Sequence, residues 1–168
     1  TLRLLPDFKQ VNDSEPGIHY LHVDGVWENN TNPIEAERVL QLVRELGEGT
    51  LSVGIVTFNV HQQQWIQEVL EQENVTVKGL FVKNIENVQG DERDVIIFST
   101  AYAPDVRGKL SMQFGSLNMQ GGENRLNVAV TRARQRVYVV TSLWPDQLRT
   151  EQTANAGPKL LKAYLKYA

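Results

Sequence analysis

Gly121-Gly122-Glu123-Asn124-Arg125-Leu126-Asn127-Val128-Ala129-Val130-Thr131-Arg132-Ala133-Arg134-Gln135-Arg136 is the stretch around which the rest of the chain is organised. Leu126, Ala129, Val130 and Ala133 fall at i, i+3, i+4 and i+7, the spacing of one apolar helix face. That spacing predicts a short helix running straight into a strand. At about 100° per residue, Arg125 and Arg132 share one flank of the helix, and Asn127 and Arg134 share the other. Arginine is always ionised, and its planar fork matches phosphate oxygens. A half-buried helix with such shoulders presents fixed positive charge at a cleft. On spacing alone, the same arginines serve equally to keep a surface helix soluble.

Apolar strands alternate with helices on either side. Ile18 to Val23 alternates as a strand does. Asn32, Pro33 and Glu35 read as N-cap, first helical residue and capping-box carboxylate of a helix striped by Ala36, Val39, Leu40, Val43 and Leu46. Gly47 and Gly49 stop it. Leu51 to Phe58 is nearly continuously apolar, as buried parallel strands are. A helix opens at Asn59 and buries Trp65, Ile66, Val69 and Leu70. Val75 to Ile85 is a strand interrupted at Lys78-Gly79, and a further strand follows Asp94. Ala101 to Gln120 is long for a loop, a length that is usually functional or mobile. Gln135 to Ser142 is a buried strand. Pro145 to Leu148 is one helical turn, and Lys159 to Tyr167 is a last helix. This order predicts α/β layers around a mostly parallel sheet. Ligands at such sheets gather at the carboxyl ends of strands.

The chain has 168 residues, 41% hydrophobic and 22% charged, the balance of one soluble globular domain. Cysteine is absent, which excludes a disulfide framework and a thiolate metal site. No apolar run reaches the roughly 18 residues a membrane span needs, and no signal peptide opens the chain. A cytoplasmic setting is the default expectation. The net charge of −3 excludes wholesale polyanion binding, so any nucleic-acid contact is local. His19 and His22 fall on opposite faces of a strand with no third ligand, so no metal site is expected there.

Arg125-Leu126-Asn127-Val128-Ala129-Val130-Thr131-Arg132-Ala133-Arg134 resembles the last motif of superfamily-one helicases. It is most similar to the branch typified by the nonsense-mediated-decay RNA helicase and its bacterial DNA relatives. It departs only at Val130, where Leu or Ile is commoner. The resemblance implies that Arg132 reaches the γ-phosphate of ATP from the second RecA-like domain, with Arg125, Asn127 and Arg134 in support. Gln89-Gly90-Asp91-Glu92 with Asp94 looks like the fifth motif, although Val88 stands where the family has an aromatic. It implies that Gln89, Gly90 and Glu92 line the nucleotide side of the cleft. A turn with solvated charges is the alternative there. Thr57-Phe58-Asn59-Val60-His61-Gln62 loosely resembles the segment that meets the nucleic-acid backbone, which would assign contacts to Thr57, Phe58, Asn59 and Gln62. Plain N-capping by Asn59 is the alternative. The family often opens the preceding helix with an Asn…Glu-Ala pair similar to Asn32 and Glu35, which capping explains. Phe114-Gly115-Ser116-Leu117-Asn118 matches a packing element of the bacterial relatives.

The resemblance therefore implies a RecA-like three-layer domain, spanning residues 18–168 after an irregular lead-in at 1–17. This is a P-loop NTPase fold without the P-loop itself, since neither a phosphate loop nor an Asp-Glu pair after an apolar strand is present. The expectation is a fragment of a larger ATP-dependent helicase, inactive alone. In the whole protein it would use ATP and Mg2+, with the magnesium ligands mainly in an N-terminal RecA-like domain supplied in cis. Its substrate would be single-stranded DNA or RNA, with no membrane partner. A non-catalytic nucleic-acid-binding module of the same fold is the alternative. An unrelated α/β transferase fits less well, for want of a glycine-rich loop after the first strand.

Overall fold

The computed structural model describes residues 17–151 and 153–168. The lead-in expected at 1–17 lies outside them, apart from Gly17. Strands β1 (Ile18–His22), β2 (Val53–Thr57), β3 (Phe81–Asn84), β4 (Arg93–Ser99) and β5 (Ala133–Thr141) form one sheet in the order β1-β5-β4-β2-β3. Every pairing is parallel. Helices α1 (Pro33–Gly47) and α2 (Val60–Gln72) cover one face, and α3 (Gly122–Val130) and α4 (Ala156–Tyr167) cover the other. This is the expected α/β three-layer, RecA-like architecture, with a sheet that is wholly parallel.

The side-chain period of two explains the layers. Val53, Ile55, Val95 and Ile97 pack under Val39, Val43, Ile66 and Leu70. Val56, Ile96, Phe98 and Val139 pack under Leu126, Ala129, Leu161 and Leu165. The central strands are buried on both faces, which is why β2 and β4 read as unbroken apolar runs.

Three expectations change. The strand expected from Val75 contracts to Phe81–Asn84, because Leu80 N–H closes a turn on Val77 O. Trp65 is 40% exposed, so the buried face of α2 rests on Ile66 and Leu70. Most consequential, α3 ends at Val130. The Thr131 and Arg132 amides turn back to Val128 O and Ala129 O, and Arg93 N–H then donates to Arg132 O. Pairing with β4, in register Arg93↔Ala133, captures the chain. Ala133 is thus the first residue of a strand, and Arg132 lies in the turn and not on a helix flank beside Arg125.

Candidate functional site

Because the strands are parallel, the sheet has two distinct rims, and the candidate residues divide between them. At the amino rim, the turn Gln89–Glu92 leads into β4 and the turn Thr131–Arg132 leads into β5. Asp91 N–H closes the first turn on Val88 O, and Gly90 holds φ +86° at its third position, where glycine is favoured. A Cβ on Gly90 would meet nothing within 4 Å, so this turn faces open space. Val88, standing in the family's aromatic position, is buried in the core, whereas Gln89 is exposed.

Arg132 is hydrogen-bonded through two of its nitrogens, and the third lies at the edge of ion-pair range. Its Nε donates to Val128 O at 3.1 Å and its Nη2 to Thr131 Oγ1 at 3.0 Å, while Nη1 lies 4.0 Å from Glu92 Oε1. Its side chain remains 20% exposed. Glu92 Oε2 lies 3.7 Å from Arg134 Nε, and Arg134 Nη1 lies 3.7 Å from Asp94 Oδ1. Asp94 is pinned by the Ser52 amide and hydroxyl, both at 2.9 Å. Those hydrogen bonds, then Arg134, hold its carboxyl below the usual carboxylate range. The result is a row, Arg132–Glu92–Arg134–Asp94, in which carboxylates hold guanidinium planes that still reach solvent. Arg125 stands apart: its Nη1 donates to Ser116 O at 3.3 Å and braces the loop before α3. Asn127 is exposed on α3 and does not meet Arg134, which belongs to β5.

At the carboxyl rim, register lines up Asn84, Thr57 and Ser99 at the ends of β3, β2 and β4. Asn59 caps α2 by accepting from Gln62 N–H at 2.7 Å, and its Nδ2 reaches Asn30 O. Thr57, Phe58 and Gln62 are enclosed. Thr57 Oγ1 donates to Asn59 O, and the Gln62 amide group is engaged by Asn32 N, Asn32 O and Ser99 Oγ. Of the four residues assigned to nucleic acid, only Asn59 is open to solvent, beside exposed Val60 and His61. The rims are about 20 Å apart, the length of β4 at roughly 3.3 Å per residue.

Sequence reasoning missed Glu35. It is fully buried below the carboxyl rim, and its carboxylate accepts from Ala101 N–H, Ser99 Oγ and Asn32 Nδ2 at 2.6, 2.7 and 3.2 Å. A capping box would send that carboxylate to the Asn32 amide, but Gln62 Oε1 already occupies it. Burial pushes Glu35 up to about 8, against the pull of Ala101, Ser99, Thr100 and Ser142. The only signal in the sequence was the Asn…Glu-Ala pair itself. His19 stacks on Tyr138 and His22 on Trp144. No group of three His, Asp or Glu side chains able to hold an ion occurs among the described residues.

A family model described as AAA domain matches residues 9–143. The chain belongs to that family. Among curated relatives of this AAA domain, the uncharacterized ATP-dependent helicase MG140 of Mycoplasma genitalium is 39% identical over 162 residues, covering 86% of the chain and 14% of that protein. Its homolog in Mycoplasma pneumoniae is 38% identical over 176 residues, covering 95% and 15%. The AAA domain thus spans about one seventh of the length of these relatives. The DNA replication ATP-dependent helicase/nuclease JHS1 of Arabidopsis thaliana is 29% identical over 114 residues, 66% of the chain and 8% of that protein. A solved C-terminal domain of a possible DNA helicase from Lactobacillus plantarum WCFS1 superposes with TM-score 0.47 at 13% identity over 82% of this chain and 81% of that one, too slight a likeness to carry an argument. The resemblance to helicases is borne out at the level of the family. No helix among the described residues is long and apolar enough to cross a membrane.

Proposed function

We propose that this AAA domain is the second motor domain of an ATP-dependent helicase, contributing Arg132 to hydrolysis and its carboxyl rim to a single strand of DNA or RNA. The observation that carries the reading is the Arg132 geometry. A guanidinium fixed by Val128 O, Thr131 Oγ1 and Glu92, yet still exposed beside the open turn at Gly90, is preorganised for a phosphate from an adjoining domain. The donor set fits the phosphates of a nucleotide: Arg132 supplies the fork, Arg134 a second cation, and Glu92 and Asp94 set their planes. When bound, ATP with Mg2+ supplies the phosphoryl group to be transferred. Arg132 stabilises charge that develops on it, in cis, as an arginine finger does. Gly90 lets main chain approach closely, with Gln89 at its edge. At the other rim, Asn59, Val60 and His61 face the sugar-phosphate backbone, while Thr57, Phe58 and Gln62 fix their position. Nothing at that rim selects base edges, so tracking along the strand is sequence-independent.

Arg132→Lys in the full-length protein tests this. Lysine keeps the charge and loses the fork, so hydrolysis is expected to fall by about 10³-fold or more, the range for arginine fingers. ATP binding is expected to change far less, because the contact is strongest in the transition state. Arg125→Lys is expected to affect stability and not chemistry. Single-turnover hydrolysis and nucleotide binding separate the two, and equal small effects would overturn the assignment. The same experiment judges the alternative, a binding module without hydrolysis, for which neither variant alters ATP use.

A further inference from the structure

Glu35 takes no part in the chemistry above, yet it is the one acidic or basic side chain fully buried among the described residues. Burying a carboxylate is costly, and an apolar side chain of similar volume often stabilises a core as well or better. What this group does is join α1 to the exit of β4 and, through Asn32 and Ser99, to α2. Oε1 accepts from Ala101 N–H and Ser99 Oγ at the exit of β4, and Oε2 from Asn32 Nδ2 at the head of α1. Asn32 is in turn clasped through its own N–H and C=O by the Gln62 amide of α2, which also donates to Ser99 Oγ.

Ala101 holds φ +66°, a left-handed conformation that costs an alanine energy and persists only where surroundings impose it. Its N–H points at Glu35. From Ala101 the chain continues through Tyr102, which packs edge-on against buried Phe114, into a 3-10 turn at Gly115–Asn118, then α3 and Arg132. One carboxylate therefore stands between the start of α2 at the carboxyl rim and the segment that returns to the amino rim.

We propose that Glu35 is a positioning residue that links Asn59–Gln63 to the β4 exit at Ala101, so that a single strand held at the carboxyl rim alters the segment carrying Arg132. The link rests on the function proposed above for Asn59, Val60 and His61. The path is hydrogen-bonded from Asn59 to Ala101 and continues toward Arg132 as packed chain, and such contiguous contacts are one physical carrier of coupling.

Hydrogen exchange by peptide mass spectrometry on the full-length protein tests it, with and without oligothymidylate as the single-strand probe. Without the probe, Glu35→Ala is expected to speed exchange at least 10-fold both at 59–63 and at 100–103. A plain loss of packing, as in Val39→Ala of α1, speeds exchange throughout the domain. Glu35→Gln keeps one carbonyl oxygen for the Ala101 and Ser99 donors and is expected to restore protection at 100–103. With the probe, wild type is expected to gain protection at 59–63, at 100–103 and around Arg132, whereas Glu35→Ala gains it only at 59–63. If, without the probe, Glu35→Ala does not speed exchange at 59–63 and 100–103 together, or if, with the probe, transmission in Glu35→Ala equals wild type, the link is overturned. Wild-type protein without protection at 59–63 overturns instead the nucleic-acid reading and the relay built on it.

Discussion

At the scale of residues, two pairs of like side chains, one basic and one acidic, show how position, not type, sets role. Arg132 and Arg125 lie on the same motif, but one points into an open rim and the other braces Ser116 O. Glu92 and Glu35 differ likewise: one is half exposed between arginines, the other wholly enclosed among neutral donors. The environment of Glu35 has a consequence for pH. Burial raises its pKa from the ordinary 4.5 to about 8, so the folded chain holds that proton more tightly than the unfolded chain. Its contribution to stability is therefore full below about 4.5 and is lost as pH rises through about 8. Between those values the slope is at most about 1.4 kcal/mol per pH unit. Thermal unfolding followed from pH 5 to 8 is expected to fall more steeply for wild type than for Glu35→Gln, whose amide does not titrate. Parallel curves would mean that Glu35 does not titrate in this range.

At the scale of elements, the helix that precedes Arg132 is held by glycines as much as by its apolar face. Gly122 opens α3 and Gly157 lies in the first turn of α4, and a Cβ on either would collide with the main-chain carbonyl of Leu117. Leu117 is itself fully buried between the two helices. The 3-10 turn, α3 and α4 thus share one close contact that only glycine permits. Gly157→Ala is expected to cost about 1–3 kcal/mol, the range for overpacking a core. The midpoint of chemical denaturation measures it. A neutral result would show that the α3–α4 contact yields readily. The Asn caps were legible because they are local: Asn32 accepts from Glu35 N–H and Asn59 from Gln62 N–H three residues on. The end of α3 was not legible, because Val130 and Ala133 continue the helical spacing. Strand β4, nearly 40 residues earlier in the chain, is what ends the helix there.

At the scale of the whole molecule, the two rims divide the work. The arginine row sits where β4 and β5 begin, and the capped start of α2 sits where β2 ends. The sheet sets the distance between them and performs no chemistry alone. The chain is therefore expected to show no meaningful ATPase activity by itself, since its arginines need a nucleotide held on a phosphate loop it does not contain. Steady-state phosphate release by the purified chain, with single-stranded DNA and RNA added, checks this. Turnover above about 1 per second, an ordinary enzyme rate, would overturn the half-motor reading.

The sequence by itself determined the layered α/β architecture, since apolar runs of strand length alternating with amphipathic helices can bury their faces in few other ways. It also determined the helicase kinship, through the run from Arg125 to Arg134, and the two Asn caps. Only the tertiary structure decided that Arg132 belongs to a turn, that Gln62 is sealed in the interior, and that Glu35 binds the exit of β4. The division follows sequence distance. Caps and stripes depend on neighbours within a turn or two of the chain. Gln62's side-chain partners Asn32 and Ser99, and Glu35's partners Ser99 and Ala101, lie 30 or more residues away and are brought within hydrogen-bond reach only when the parallel sheet closes.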